Sequence, residues 1–145
     1  MKAIFCESEP SNHVKDMAVT YGYDIKFLHE VRSDVHKSFQ KHLIYDYYMD
    51  YTDVIILENN ELPSFDIFRL PIYNSIALIK APTCSKCIYT IEKYSKCLDI
   101  QRVIDNPCDT SFIYYNNPQY FLPLFKRIEQ FCNMKNNEFY DKIRI

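Results

Sequence analysis

The chain reads as a single α/β domain, with a mostly parallel sheet of four to five strands and helices on both faces. Three observations predict this. Val54-Ile55-Ile56-Leu57 is a continuous apolar run with three β-branched residues, the pattern of a strand covered on both faces. A long helical pattern precedes it, and the polar break Glu58-Asn59-Asn60-Glu61-Leu62-Pro63 follows it, which is the setting of a strand in a βαβ unit. Strand and helix patterns then alternate along the whole chain, the habit of α/β domains.

In order, Lys2–Cys6 is a short apolar strand, stopped by Glu7-Ser8-Glu9-Pro10. Ser11 caps a helix in which Val14, Met17, Ala18 and Tyr21 follow helical spacing, and Gly22 stands where a helix takes its C′ glycine. Asp24–His29 is a second strand. Ser33 caps a second helix running to about Tyr51, with Val35, Phe39, Leu43 and Tyr47 recurring every four residues. The central strand is 53–58. Phe65, Ile67, Phe68 and Leu70 form a helical turn or two between Pro63 and Pro71. Ser75–Lys80 is a fourth strand, and Pro82-Thr83 opens a helix from Cys84 to about Leu98. Ile100–Ile104 is strand or loop, Ser111–Tyr115 is a last strand, and Asn117-Pro118 starts a terminal helix whose first turns Pro123 disturbs. Residues 1–132 make the domain and 133–145 a polar tail with a mild basic lean. The sum predicts a flavodoxin- or Rossmann-like three-layer sandwich with strand order 2-1-3-4-5.

Composition narrows the chemistry. Apolar residues at 48% and charged residues at 25% are ordinary for a globular domain. There are 13 Tyr and 10 Phe but no Trp, and tyrosine packs while still offering a hydroxyl. A formal charge of -2 gives no chain-wide grip on nucleic acid. The chain holds one glycine, Gly22, so neither a P-loop nor a dinucleotide fingerprint is available, since both need several glycines for close backbone approach to phosphate. The start lacks the apolar core of a signal peptide, and no apolar run reaches membrane-spanning length. A cytoplasmic or nuclear protein is expected, with no membrane partner and its six cysteines mostly reduced. The asparagine- and isoleucine-rich composition is compatible with an AT-rich genome such as many viruses have.

In sheets of this class, ligands bind beyond the carboxyl ends of the strands. Glu7, Glu9, His29, Glu58, Asn59, Lys80 and Thr83 fall at those ends. Glu7 and Glu58, on adjacent strand tips, are candidates to hold a divalent cation such as magnesium, or to act as a general base with a raised pKa. Glu9, His29, Asn59, Lys80 and Thr83 are candidate ligand contacts, though acidic and polar residues at strand ends are more often plain solvated loop positions.

Cys84-Ser85-Lys86-Cys87 follows a strand and opens a helix, where a thiolate is favoured and redox chemistry or zinc binding follows. Cys84, Cys87, Cys97 and Cys108 have spacings that suit zinc. Cys97 is nevertheless about 20 Å from Cys84 by helical rise, and both early cysteines share the apolar stripe of Ile88, Ile91 and Leu98, so a buried structural role competes.

Tyr51-Thr52-Asp53-Val54-Ile55-Ile56-Leu57-Glu58, with Ser75-Ile76-Ala77-Leu78-Ile79 after it, resembles the middle of nucleoside deoxyribosyltransferase-like domains. That resemblance implies a catalytic acid at Asp66, although the family's flanking glycines are absent from Phe65-Asp66-Ile67-Phe68. Glu7-Ser8 and Glu58-Asn59-Asn60 resemble the acidic metal-binding positions of Toprim domains, with half of that acidic set present. Both are analogies of topology.

The leading expectation is a non-catalytic protein-interaction module, in which Tyr45, Tyr48, Tyr115 and Tyr120 supply contact area at small entropy cost. A protein partner, a second copy included, follows from it, and a viral or accessory role in host interaction is the extension. The second reading is a small enzyme or binder acting on a nucleotide-like ligand through Glu7, Glu58 and Asp66. The third is a zinc- or thiol-dependent protein using Cys84 and Cys87.

Overall fold

A computed structural model describes residues 1–35, 37–63, 66–69, 73–80 and 108–133. Its strands are β1 (Lys2–Cys6), β2 (Tyr23–Phe27), β3 (Asp53–Leu57), β4 (Ile76–Lys80) and β5 (Cys108–Asn116). Its helices are α1 (Asn12–Tyr21), α2 (Lys37–Leu43) and α3 (Leu122–Asn133), with 3-10 turns at Tyr45–Tyr48, Ile67–Arg69 and Pro118–Phe121.

The five strands form one mixed sheet in the order β2-β1-β3-β5-β4. β1 pairs in parallel with β2 and β3, while β5 runs antiparallel to both β3 and β4. The expected mostly parallel sheet and the order 2-1-3-4-5 are therefore corrected: the last strand inserts between the third and fourth. Burial gives the reason. Phe112, Ile113, Tyr114 and Tyr115 are successive buried residues, so β5 must be covered on both faces and flanked on both sides. β4 has Leu78 exposed and Ile76 half-buried, which suits an edge.

Strand alternation splits the core into two halves. Ala3, Phe5, Val54, Ile56, Ile113 and Tyr115 face one side, where Ile44, Tyr45, Tyr48 and Phe125 cover them. Ile4, Cys6, Ile55, Leu57, Phe112 and Tyr114 face the other, under Val14 and Ala18 of α1 and Ile67. Each fully buried aliphatic side chain contributes about 1.5–3 kcal/mol by leaving water.

Two caps behave as the residue types dictate. Ser11 is extended, and its hydroxyl accepts from the Val14 amide at 3.3 Å. Gly22 has φ 74°, and its N–H reaches the Ala18 and Val19 carbonyls. An added Cβ at Gly22 would meet nothing within 4 Å, so only the left-handed backbone resists substitution. Gly22→Ala is expected to cost about 1 kcal/mol in urea denaturation with an unchanged spectrum. A cost near zero would mean that the cap rearranges freely.

The second helix is shorter than its periodicity predicts. α2 begins at Lys37, Ser33 is exposed outside it, and Tyr45–Tyr48 tightens into a 3-10 turn. Three aromatic residues and an aspartate in four positions are weak helix formers. The terminal helix also starts later, because Pro118 opens a 3-10 turn and Pro123 takes the second position of α3, where no backbone donor is lost. The expected helix 84–98 and the strand or loop at 100–104 lie outside the described residues, as does the tail beyond 133.

Candidate functional site

β1 and β3 are parallel neighbours with Cys6 level with Leu57, so Glu7 and Glu58 leave the sheet side by side. The Glu7 amide donates to the Leu57 carbonyl at 2.9 Å, and the Glu58 amide donates to the Ser111 carbonyl at 2.8 Å. β2 ends beside them: the Leu28 amide donates to the Cys6 carbonyl at 2.8 Å and carries the chain into His29 and Glu30. α2 then brings Lys37, Ser38, Gln40 and Lys41 over these ends. Together they line a pocket of about 340 Å³ at the carboxyl edge of the three parallel strands.

Both strand-tip carboxylates are ion-paired. Glu7 meets the Lys37 ammonium at 2.5 Å, and Lys37 is largely exposed. The hydrogen bond that Lys37 donates to Glu7, with the Glu7 charge second, holds Lys37 above the ordinary lysine value. Glu58 meets Lys41, whose side chain is only 3% exposed against 30% for Glu58. The Lys41 ammonium also donates to the Thr110 carbonyl at 2.5 Å and to the Thr110 hydroxyl at 3.1 Å. Its three protons thus have three acceptors, the condition for a buried cation.

The loop between β2 and α2 is pinned from inside. Gln40 is buried; its Oε1 accepts from the Val31 amide at 3.0 Å and the Arg32 amide at 3.3 Å, and its Nε2 donates to the Val35 carbonyl at 3.0 Å. Next to Lys41 lies His42. Burial, and secondly the Lys41 charge, pushes its imidazole down to about 4, so it is neutral near pH 7.

A separate polar cluster closes the opposite edge of the sheet. Buried Asp53 accepts from the Tyr114 hydroxyl at 2.5 Å, from Asn116 at 3.0 Å and from the Thr52 hydroxyl at 3.2 Å. Burial, then the bond to Asp53, raises the Tyr114 phenol well above its ordinary value. Asp53 is fully engaged by neutral donors, and this cluster reads as a structural fastening of β3 to β5.

The remaining predicted residues scatter. Glu9 pairs with Lys15 at 2.5 Å on the surface. Asn59 is exposed in the loop after β3 and does not line the pocket. Asp66 pairs with Arg69 at 3.0 Å and caps the Phe68 amide at 3.2 Å, away from the pocket lining. Lys80 ends β4, which β5 separates from β3. Thr83, Cys84 and Cys87 lie outside the described residues. Among the described residues no group of three His, Cys, Asp or Glu side chains is placed to hold a metal ion. Cys6 is buried, and that burial, with the Glu9 charge second, pushes its thiol up to about 11.

The tyrosines expected on a contact face need correction. Tyr48 and Tyr115 are core residues, and Tyr45 is buried with its hydroxyl 3.3 Å from Glu129. Only Tyr120 of the four is exposed, at 66%. Their large apolar rings reward burial more than the hydroxyl resists it.

The sequence reading missed Lys37 and Lys41, which pair with Glu7 and Glu58 of the pocket. The signal was available. The two lysines are four apart, so they share one helix face, on a helix that must cover acidic strand ends.

Fold and site define a mixed-sheet α/β domain with a charged pocket at the carboxyl edge of its parallel strands. Comparison with protein-family models, with curated proteins and with solved structures gives no match to this chain, the two families it resembles included. Among the described residues no helix is long and apolar enough to cross a membrane.

Proposed function

We propose that the protein binds a small polar, nucleotide-like ligand in the pocket formed by Glu7, His29, Glu30, Lys37, Lys41 and Glu58. One observation carries this reading: two acid–base pairs from three different elements converge in one cleft of about 340 Å³. That size falls in the range of small-ligand sites, which combine a concave surface with a few placed polar groups. The lining carries three carboxylates against two lysines, and each lysine is engaged by one of them. This balance disfavours a polyphosphate. It favours a ligand that offers hydroxyl or amine donors, such as the sugar of a nucleoside. Burial of Tyr45, Tyr48 and Tyr115 removes most of the contact face that a protein-interaction module would use.

Glu7 is the residue to test, because its pair with the exposed Lys37 contributes only about 0–1 kcal/mol to stability. Nucleosides, nucleoside monophosphates and simple sugars are titrated calorimetrically into the wild type and Glu7→Gln. The expected result is binding of one of these classes that weakens at least tenfold in Glu7→Gln, with the melting temperature unchanged. Absence of binding by all three classes at millimolar concentration sinks the proposal.

A further inference from the structure

β2 is an edge strand, paired among the described residues only with β1. A free edge exposes a row of backbone donors and acceptors, and proteins usually blunt it with charged side chains, prolines or shortness. This edge has no proline, and its two charges, Asp24 and Lys26, are of opposite sign, so they can complement a second copy rather than repel it. It reads Tyr23-Asp24-Ile25-Lys26-Phe27: an aromatic, an acid, an aliphatic, a base and an aromatic. We infer that β2 pairs antiparallel with β2 of a second copy of this chain, about a two-fold axis at Ile25, merging the two sheets into one.

The register follows from backbone parity. The Leu28 amide donates to the Cys6 carbonyl, and the parallel ladder sets Ala3 level with Asp24 and Phe5 level with Lys26. Asp24, Lys26 and Leu28 therefore turn their backbone groups toward β1, and Tyr23, Ile25 and Phe27 turn theirs outward. A two-fold at Ile25 sets Ile25 against Ile25 and Tyr23 against Phe27 of the second copy, and all of these are hydrogen-bonded positions. Asp24 and Lys26 then meet Lys26 and Asp24 of the second copy at the non-hydrogen-bonded positions, where side chains approach most closely.

Charge excludes the competing arrangement. Pairing β2 with its copy in parallel and in register would set Asp24 on Asp24 and Lys26 on Lys26, which repels. Both residues are exposed, and among the described residues neither is held in an ion pair. Phe27 is 52% exposed at the end of the edge strand, whereas Tyr23, opposite it in this register, is 8% exposed in its own core, so Asp24 and Lys26 rather than the aromatic positions select the register. Main-chain bonds supply affinity in such strand addition, and the facing side chains select the partner.

The test is the solution mass of the full chain, by light scattering after size exclusion across micromolar concentrations. The wild type is expected at twice the chain mass. Asp24→Lys and Lys26→Asp each set like charges face to face, and each is expected to give a monomer. The double variant Asp24→Lys/Lys26→Asp restores complementarity and is expected to return to the dimer. Ile25→Pro removes an outward amide without touching the β1 ladder, and is expected to give a monomer with unchanged far-ultraviolet circular dichroism. In the wild type, amide exchange at Ile25 slows as concentration rises. A wild type that stays monomeric, single variants that remain dimeric, or a double variant that stays monomeric would each overturn the proposal.

Discussion

Glu58→Gln is expected to lower stability by about 3 kcal/mol, near the low end of the cost of breaking a buried ion pair. The loss falls on Lys41 rather than on Glu58. Glu58 keeps 30% exposure and would be hydrated, but the Lys41 side chain is 3% exposed and its ammonium would keep only neutral acceptors, Thr110 and the Gln amide oxygen, with no counter-charge. An uncompensated buried charge is what makes such substitutions costly. The double variant Lys41→Met/Glu58→Gln should recover most of the loss, because it removes the cation together with its counterion. Urea midpoints of wild type, both singles and the double form the cycle. A Glu58→Gln cost below about 1 kcal/mol would mean that the pair behaves as a surface pair, and that the pocket floor is wetter than its geometry. This result also decides how binding data are read: a lost ligand in Glu58→Gln is ambiguous, whereas in Glu7→Gln it reports on the pocket.

The parallel half of this fold was legible because its signals are local. Val54–Leu57 has no polar face, and all of β3 is buried. Ser11 and Gly22 carry their capping chemistry in their own side chains, or in the lack of one, and both sit at the ends of α1. The antiparallel half was obscured because strand order and direction are properties of pairs. Even so, Phe112-Ile113-Tyr114-Tyr115 is a continuous apolar run like the one that located β3. Ile76-Ala77-Leu78-Ile79 of β4 is one too, so the run alone does not say which of the two strands lies inside, and only the pairing places β5 between β3 and β4. The same reasoning explains the pocket. Glu7 and Glu58 were found because strand ends are readable, while Lys37 and Lys41 were missed because a stripe drawn through Val35, Phe39 and Leu43 left them on the polar side. Lys41 is nevertheless more buried than Phe39, because a carboxylate and a carbonyl wait for its ammonium under the helix. Periodicity reports average hydrophobicity and is blind to a single satisfied charge.

Phe125→Ala is expected to be the most damaging single change in α3, at about 4 kcal/mol. Phe125 is fully buried and sits among three tyrosines, with ring centroids 5.5 Å from Tyr45, 6.0 Å from Tyr48 and 5.2 Å from Tyr115. Truncation empties a ring-sized space that these rigid neighbours cannot collapse into, and it removes aromatic pairings worth about 0.5–1.5 kcal/mol each beyond area. Against a total of about 5–15 kcal/mol for a domain of this kind, that is a large share. Phe125→Leu keeps most of the volume and should cost about 1–2 kcal/mol, while Tyr120→Ala, at an exposed position, should stay within about 0.5 kcal/mol. Denaturant midpoints give the ranking, and near-ultraviolet circular dichroism of the tyrosines reports the loosened cluster without interference from tryptophan. The consequence reaches the pocket by a short path. α3 packs on α2 and the loop before it: Cys132 and Ile128 meet Leu43 and Phe39 of α2 and Val35 of the loop. α2 carries Lys37 and Lys41. A loosened α3 frees α2 to shift over the strand ends, so Phe125→Ala should weaken ligand binding although it touches no residue of the pocket. If binding survives unchanged at full occupancy of the folded state, α2 is held by Lys41 and Gln40 alone, and the aromatic cluster serves only the fold.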